Sequence, residues 1–103
     1  MKSIMIVDSE KNILREVKNI LEQDDYNVFT AESSREAFEI MDTHKEKDFG
    51  LILINSLNPD TGTPALFSMK PSKIKNIDTT KVDDFLQKPF TKEQLMDFVR
   101  KKL

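Results

Sequence analysis

Two short apolar runs, Ile4–Val7 and Leu51–Ile54, constrain the fold of this chain more than any other feature. Each holds four consecutive apolar residues, so neither leaves a face for water. Such runs read as strands buried on both faces, as in a parallel sheet covered by helices. Each ends in a polar residue, Asp8 after the first and Asn55 after the second. The chain between them reads as helix, strand, helix. Ile13, Leu14, Val17, Ile20 and Leu21 recur at helical spacing and predict a helix from about Glu10 to Gln23, with Ser9 as its cap. Tyr26 to Thr30, aromatic and β-branched, predicts a second strand. Ser33 and Glu36 form a capping-box pattern for a second helix, whose buried face would be Ala37, Phe38, Ile40 and Met41.

The C-terminal end carries the same kind of signal. Phe85-Leu86-Gln87 reads as a short strand that Pro89 ends. Thr91 and Gln94 form another capping box, and Leu95, Met96, Phe98, Val99 and Leu103 line one face of a last helix. Leu57 to Asp84 is harder. It holds three of the four prolines and the turn signals Asn58-Pro59 and Gly62. In one reading Pro64–Met69 is the fourth strand and Ser72 caps a short helix to about Thr80. In the other, Thr63 caps a helix with Pro64 at its first position, and a degraded strand lies near Ile74–Ile77. The first is preferred, because Pro-Ala-Leu-Phe resembles a fourth strand in the family named below.

Composition narrows the classes of function. A third of the residues are charged and 38% are apolar, which fits one folded domain over residues 1–103. A net charge of -2 gives no general attraction to polyanions, and no aromatic interleaving accompanies Lys70, Lys73, Lys75 and Lys81, so nucleic-acid binding is not expected. The absence of cysteine excludes disulfides and thiolate metal sites. Ile4–Val7 is too short for a signal peptide or a membrane span, so a cytoplasmic protein without membrane contact is expected. No nucleophile–histidine–acid set is visible and no enzyme is expected. His44 sits in a charged stretch and reads as a lone exposed side chain.

Asp8, Asn55 and the later Lys88-Pro89-Phe90 together resemble the receiver domain of two-component response regulators. The resemblance covers nearly the whole chain and is strongest before residue 56 and after Val82. It implies an α/β, flavodoxin-like three-layer sandwich. Its parallel sheet would have about five strands in the order 2-1-3-4-5. From Pro59 to Lys88 the chain is about twenty residues shorter than the family. Either the third helix or the region of the fourth strand and fourth helix would therefore be lost. In the first case two parallel strands would be joined by about eight residues, below the usual crossover length.

The resemblance also assigns site positions. Asn55 stands where the family has the aspartate that accepts a phosphoryl group from a histidine kinase. Asp8, Ser9 and Glu10 stand at the acidic pocket, with Ser9 in place of a direct magnesium ligand. Lys88 matches the lysine that contacts the phosphoryl group, and Pro89 would follow a cis peptide bond. The threonine or serine that senses the phosphoryl group aligns with Met69, or with Ser68 one place away. Pro59 matches a proline beyond the acceptor.

Phosphoryl transfer needs a carboxylate nucleophile and a magnesium ion that neutralises the phosphoryl oxygens. An amide at position 55 is not a competent acceptor. With Asp8 negative, Lys88 positive and Ser9 and Asn55 neutral, the pocket has little net charge to draw in magnesium, which carboxylates and water hold. Weak or absent magnesium binding and no other cofactor are expected, with Asp8 and Glu10 the only metal candidates. Lys88 is expected to pair with Asp8, and Asn55 to hydrogen-bond both.

The expected function is a receiver-like phosphorelay module that signals by protein–protein contact and not by phosphorylation. A histidine kinase, another receiver or an output protein would dock on Val82–Phe90 and the last helix, where a homodimer is an alternative. Two rival readings remain. One is a working phosphoacceptor that uses a displaced carboxylate, Asp8 or Asp60. The other is a flavodoxin-like small-ligand module, which Gly50 and Gly62 alone support poorly.

Overall fold

The computed structural model describes residues 2–44, 46–47, 49–58, 60–71 and 84–103. Among the described residues, five strands and three helices follow in the order β1 (Ser3–Val7), α1 (Lys11–Glu22), β2 (Asn27–Ala31), α2 (Ser34–Thr43), β3 (Phe49–Leu57), β4 (Pro64–Met69), β5 (Asp84–Gln87) and α3 (Lys92–Lys102). The strands form one sheet in the order β2-β1-β3-β4-β5. The strand order inferred from the resemblance is the one found, and Pro64–Met69 is the fourth strand. The expected helix after Ser72 lies outside the described residues, as do Pro59, Val82 and Asp83.

Strand direction departs from the expectation of a parallel sheet. β1 pairs in parallel with β2 and β3, but β4 is antiparallel to both β3 and β5. Connection length explains this. Only residues 58–63 join β3 to β4, which suits a hairpin and is too short for a crossover between parallel strands. Asn58 organises the turn. Its backbone N–H donates to Thr63 O, its O accepts from Gly62 N at 2.7 Å, and its Oδ1 accepts from Asp60 N at 2.9 Å. Gly62 has φ +70°, a left-handed conformation that costs glycine little.

The pleat divides the core in two. Ile4, Ile6, Leu51, Leu53 and Leu66 face α1 and α3, meeting Leu14, Val17, Leu21, Leu95 and Val99. Met5, Val7, Ile52, Ile54 and Met69 face the other way, against Ala37 of α2 and the partly buried Ile40 and Met41. Burying each large side chain contributes about 1.5–3 kcal/mol, so these two layers hold the sheet in place. Phe38 was expected on the buried face of α2 but is 41% exposed. One residue on from Ala37 is about 100° around the helix, which turns Phe38 away from the Ala37–Ile40–Met41 side.

The caps differ in part from the sequence reading. Thr91 and Gln94 form both halves of their capping box, at 3.1 and 2.8 Å. Ser33 Oγ accepts from Glu36 N, but the Glu36 carboxylate reaches back to Glu32 N instead of Ser33 N. Glu10, not Ser9, is the N-cap residue of α1, and its side chain makes no cap bond. His44 is not the exposed residue expected. It ends α2, its Nδ1 lies 2.9 Å from Ile40 O, and its ring packs against Phe29. No helix among the described residues is long and apolar enough to cross a membrane.

Candidate functional site

The site lies at the end of the sheet where β1, β3 and β5 stop and β4 starts. Register places Asp8 and Asn55 side by side there, because Val7 pairs with Ile54. Asp8 N–H donates to Ala31 O at 3.1 Å, which ties the end of β1 to the end of β2. Lys88 N–H donates to Pro64 O at 3.1 Å, which brings the end of β5 to the same rim. The Lys88–Pro89 peptide bond is cis.

Asp8 is only 7% exposed. Its Oδ1 accepts from Glu10 N at 3.2 Å, so the carboxylate closes the turn into α1. That turn leaves Ser9 and Glu10 exposed. Asp8 Oδ2 and Asn55 Oδ1 are both buried, and neither has a hydrogen-bond partner among the described residues. An unsatisfied buried acceptor costs about 1–3 kcal/mol. The expected network, with Lys88 on Asp8 and Asn55 joining both, is therefore not formed. Lys88 instead lines a groove with Glu16, Pro64 and Phe90. The fixed direction of the strands sets the two oxygens, whereas the Lys88 stem is long enough to lie along the groove wall.

The switch positions are corrected more sharply. Because β4 runs away from the rim, Met69 pairs with Ile52 and Ser68 with Leu53, toward the opposite end of the sheet. Both are fully buried, and Ser68 Oγ donates to Asp84 O at 3.4 Å. The residues that β4 places beside Asn55 and Ser56 are Leu66 and Ala65, which bring no hydroxyl. Asp60 is exposed in the hairpin turn. Sequence reasoning names Asn58 as a turn signal but not as the buried residue that shapes the turn, and it does not place Pro64 at the rim. The signal was present in the spacing of Asn58 and Gly62 between two β-rich runs.

The resemblance implies a magnesium ion at this rim. The two orphaned oxygens are hard donors of the kind magnesium takes, but only Asp8 brings charge. No three His, Cys, Asp or Glu side chains cluster among the described residues. One carboxylate oxygen and one amide oxygen, both buried, are a poorer set than the carboxylates and waters that hold magnesium, so these residues would hold the ion weakly at best and supply no acceptor.

No protein-family model matches the chain. Among solved structures, it is similar to a response regulator receiver domain protein from Clostridium thermocellum, with a TM-score of 0.69 and 19% identity over 99% of this chain and 94% of the other. It is also similar to the chemotaxis protein CheY4 of Vibrio cholerae, with a TM-score of 0.68 and 21% identity over 100% of this chain and 99% of the other. At this level of identity the likeness shows the fold. The chain is a receiver-type α/β sandwich with a reversed fourth strand.

Proposed function

We propose that this chain is a receiver-like module of two-component, phosphorelay signalling that has lost phosphoryl transfer and acts in the cytoplasm by protein contact, without enzymatic activity. One observation carries the reading. At the rim, next to Asp8, the residue in the acceptor position is Asn55, whose side chain is neutral and non-nucleophilic. The fold shared with a receiver domain and a chemotaxis protein supports the signalling class. The short fourth-strand connection and the displacement of Ser68 and Met69 support the loss of the switch, since no hydroxyl from β4 reaches Asn55.

The partner class is a histidine kinase, another receiver or an output protein. β5 and α3 offer the docking face. β5 is an edge strand with Phe85 43% exposed, and α3 lies beside it. The test is incubation with acetyl phosphate and magnesium, followed by mass spectrometry of the intact chain and its peptides. No phosphate incorporation is expected. Incorporation at Asp8, Asp60 or any other carboxylate would refute the reading and restore the phosphoacceptor alternative.

A further inference from the structure

A groove of about 480 Å³ runs between α1 and the turn after β5. Ile13, Val17 and Ile20 line one wall, and Pro64, Pro89 and Phe90 line the other. Each wall also carries one charge, Glu16 on α1 and Lys88 opposite. Neither charge takes part in an ion pair among the described residues, with the other or with anything else. Glu16 is exposed and Lys88 half-exposed, so both are available to a partner.

An acid and a base on opposite walls of an apolar groove are self-complementary. A two-fold axis through the groove brings Glu16 of one copy to Lys88 of the other, and the same contact forms again on the far side. The apolar rims of the two grooves approach each other between the two pairs. A partner with charges of one sign would match one wall and oppose the other. We propose that the groove is the interface of a homodimer, with two Glu16–Lys88 pairs flanking an apolar centre. Stable interfaces bury about 800 Å² per partner, roughly an eighth of the 6175 Å² this chain exposes. The groove offers six apolar side chains per copy, so the dimer is weak and concentration-dependent. This proposal does not depend on whether the chain takes phosphate. It shares Lys88, Pro89 and Phe90 with the expected docking stretch but adds the face of α1, which that stretch does not use.

Sedimentation equilibrium of the full chain, from about 10 μM to 1 mM, tests it. The unaltered chain should dimerise within that range. Glu16→Lys and Lys88→Glu, each alone, place like charges at both contacts and should weaken dimerisation at least about a hundredfold. An equimolar mixture of the two variants should dimerise again, because the altered chains then carry opposite charges at both contacts. That recovery also shows that both variants fold. A chain that stays monomeric at 1 mM would overturn the proposal. So would a single variant that dimerises as tightly as the original, or a mixture that stays monomeric.

Discussion

The two ends of the sheet treat polar side chains in opposite ways. At the end away from the site, Arg100 of α3 donates twice to the Asp24 carboxylate, at 2.8 Å each. Lys102 reaches Asp84 at 2.7 Å and also lies over the Phe98 ring. Leu103 folds back on Gly50, so closely that a Cβ there would lie 2.5 Å from it. At the site end, two oxygens are buried and unsatisfied, and the cation inferred for them points along a groove. Paired charges at the surface cost little to keep. Unpaired buried oxygens are costly to keep. The difference teaches that this fold pairs its charges where water can reach them and leaves oxygens unpaired where the strands bury them.

The largest expected effect comes from adding charge to the pocket. Asn55→Asp sets a second carboxylate beside a buried one, and like charges in a desolvated site oppose each other. We expect a loss of about 3 kcal/mol at neutral pH without divalent ions, recovered as magnesium is added. Urea unfolding with and without magnesium measures both. Unchanged stability in both conditions would mean that the site end is more hydrated than its burial implies, and the contrast with the far end would disappear.

The opposite change sharpens the same contrast. Asn55→Leu replaces an unsatisfied amide with an apolar group of similar shape, next to Leu66 and Ile54. Removing an orphaned acceptor should stabilise the chain by about 1 kcal/mol. If urea unfolding shows a loss instead, Asn55 Oδ1 is satisfied in solution by an ion, a water or Lys88. The two variants therefore bracket the state of the pocket from either side.

How much of this was legible in the sequence follows from what each signal encodes. Ile4–Val7 and Leu51–Ile54 show buried strands in composition alone, and α1 shows its stripe in spacing. β1 and α1 lie within one residue of their expected bounds, and β3 extends two residues before and three after the run that marked it. The run Pro64–Met69 was legible as a strand but not in its direction, because alternation reads the same from either end. Direction lay in the six residues before it, and the resemblance outweighed that length. The error then carried into the site. A parallel fourth strand would end at the rim and bring Ser68 and Met69 there, whereas the antiparallel one starts there. Asp8 and Asn55 lie side by side because each is the first polar residue after a buried apolar run in neighbouring parallel strands. That Lys88 would not meet Asp8 depends on a side-chain path over α1, which no local pattern encodes.

Smaller effects belong to the far end, where Tyr26 is the sole tyrosine and there is no tryptophan. Its phenol titrates above the usual value, because burial and then the negative Asp24 disfavour the phenolate while Arg100 partly offsets them. Arg100→Ala should therefore raise the Tyr26 pKa further, and Asp24→Ala should lower it. Absorbance at alkaline pH reads this one phenol directly. A Tyr26 titration unmoved by both changes would show that the Asp24–Arg100 pair is not held in solution, and the far end would lose its claim to be the ordered one.

The smallest effect concerns acid. Asp84 titrates below its usual range, first because Lys102 hydrogen-bonds its carboxylate and then because Phe85 N–H does so at 2.8 Å. A carboxyl whose folded pKa is depressed favours the folded state above its unfolded value of 3.8, and that contribution fades as pH falls through the lower folded value. Asp84→Asn should thus lower the melting temperature slightly at pH 6, and the two chains should converge as the pH drops below 3.8. The side chain is half-exposed, so salt should shrink the difference at pH 6 as well. A gap that persists unchanged into acid would assign the effect to lost packing against β4 and not to the charge. The pairing at the far end would then be a matter of shape, as the site end already is.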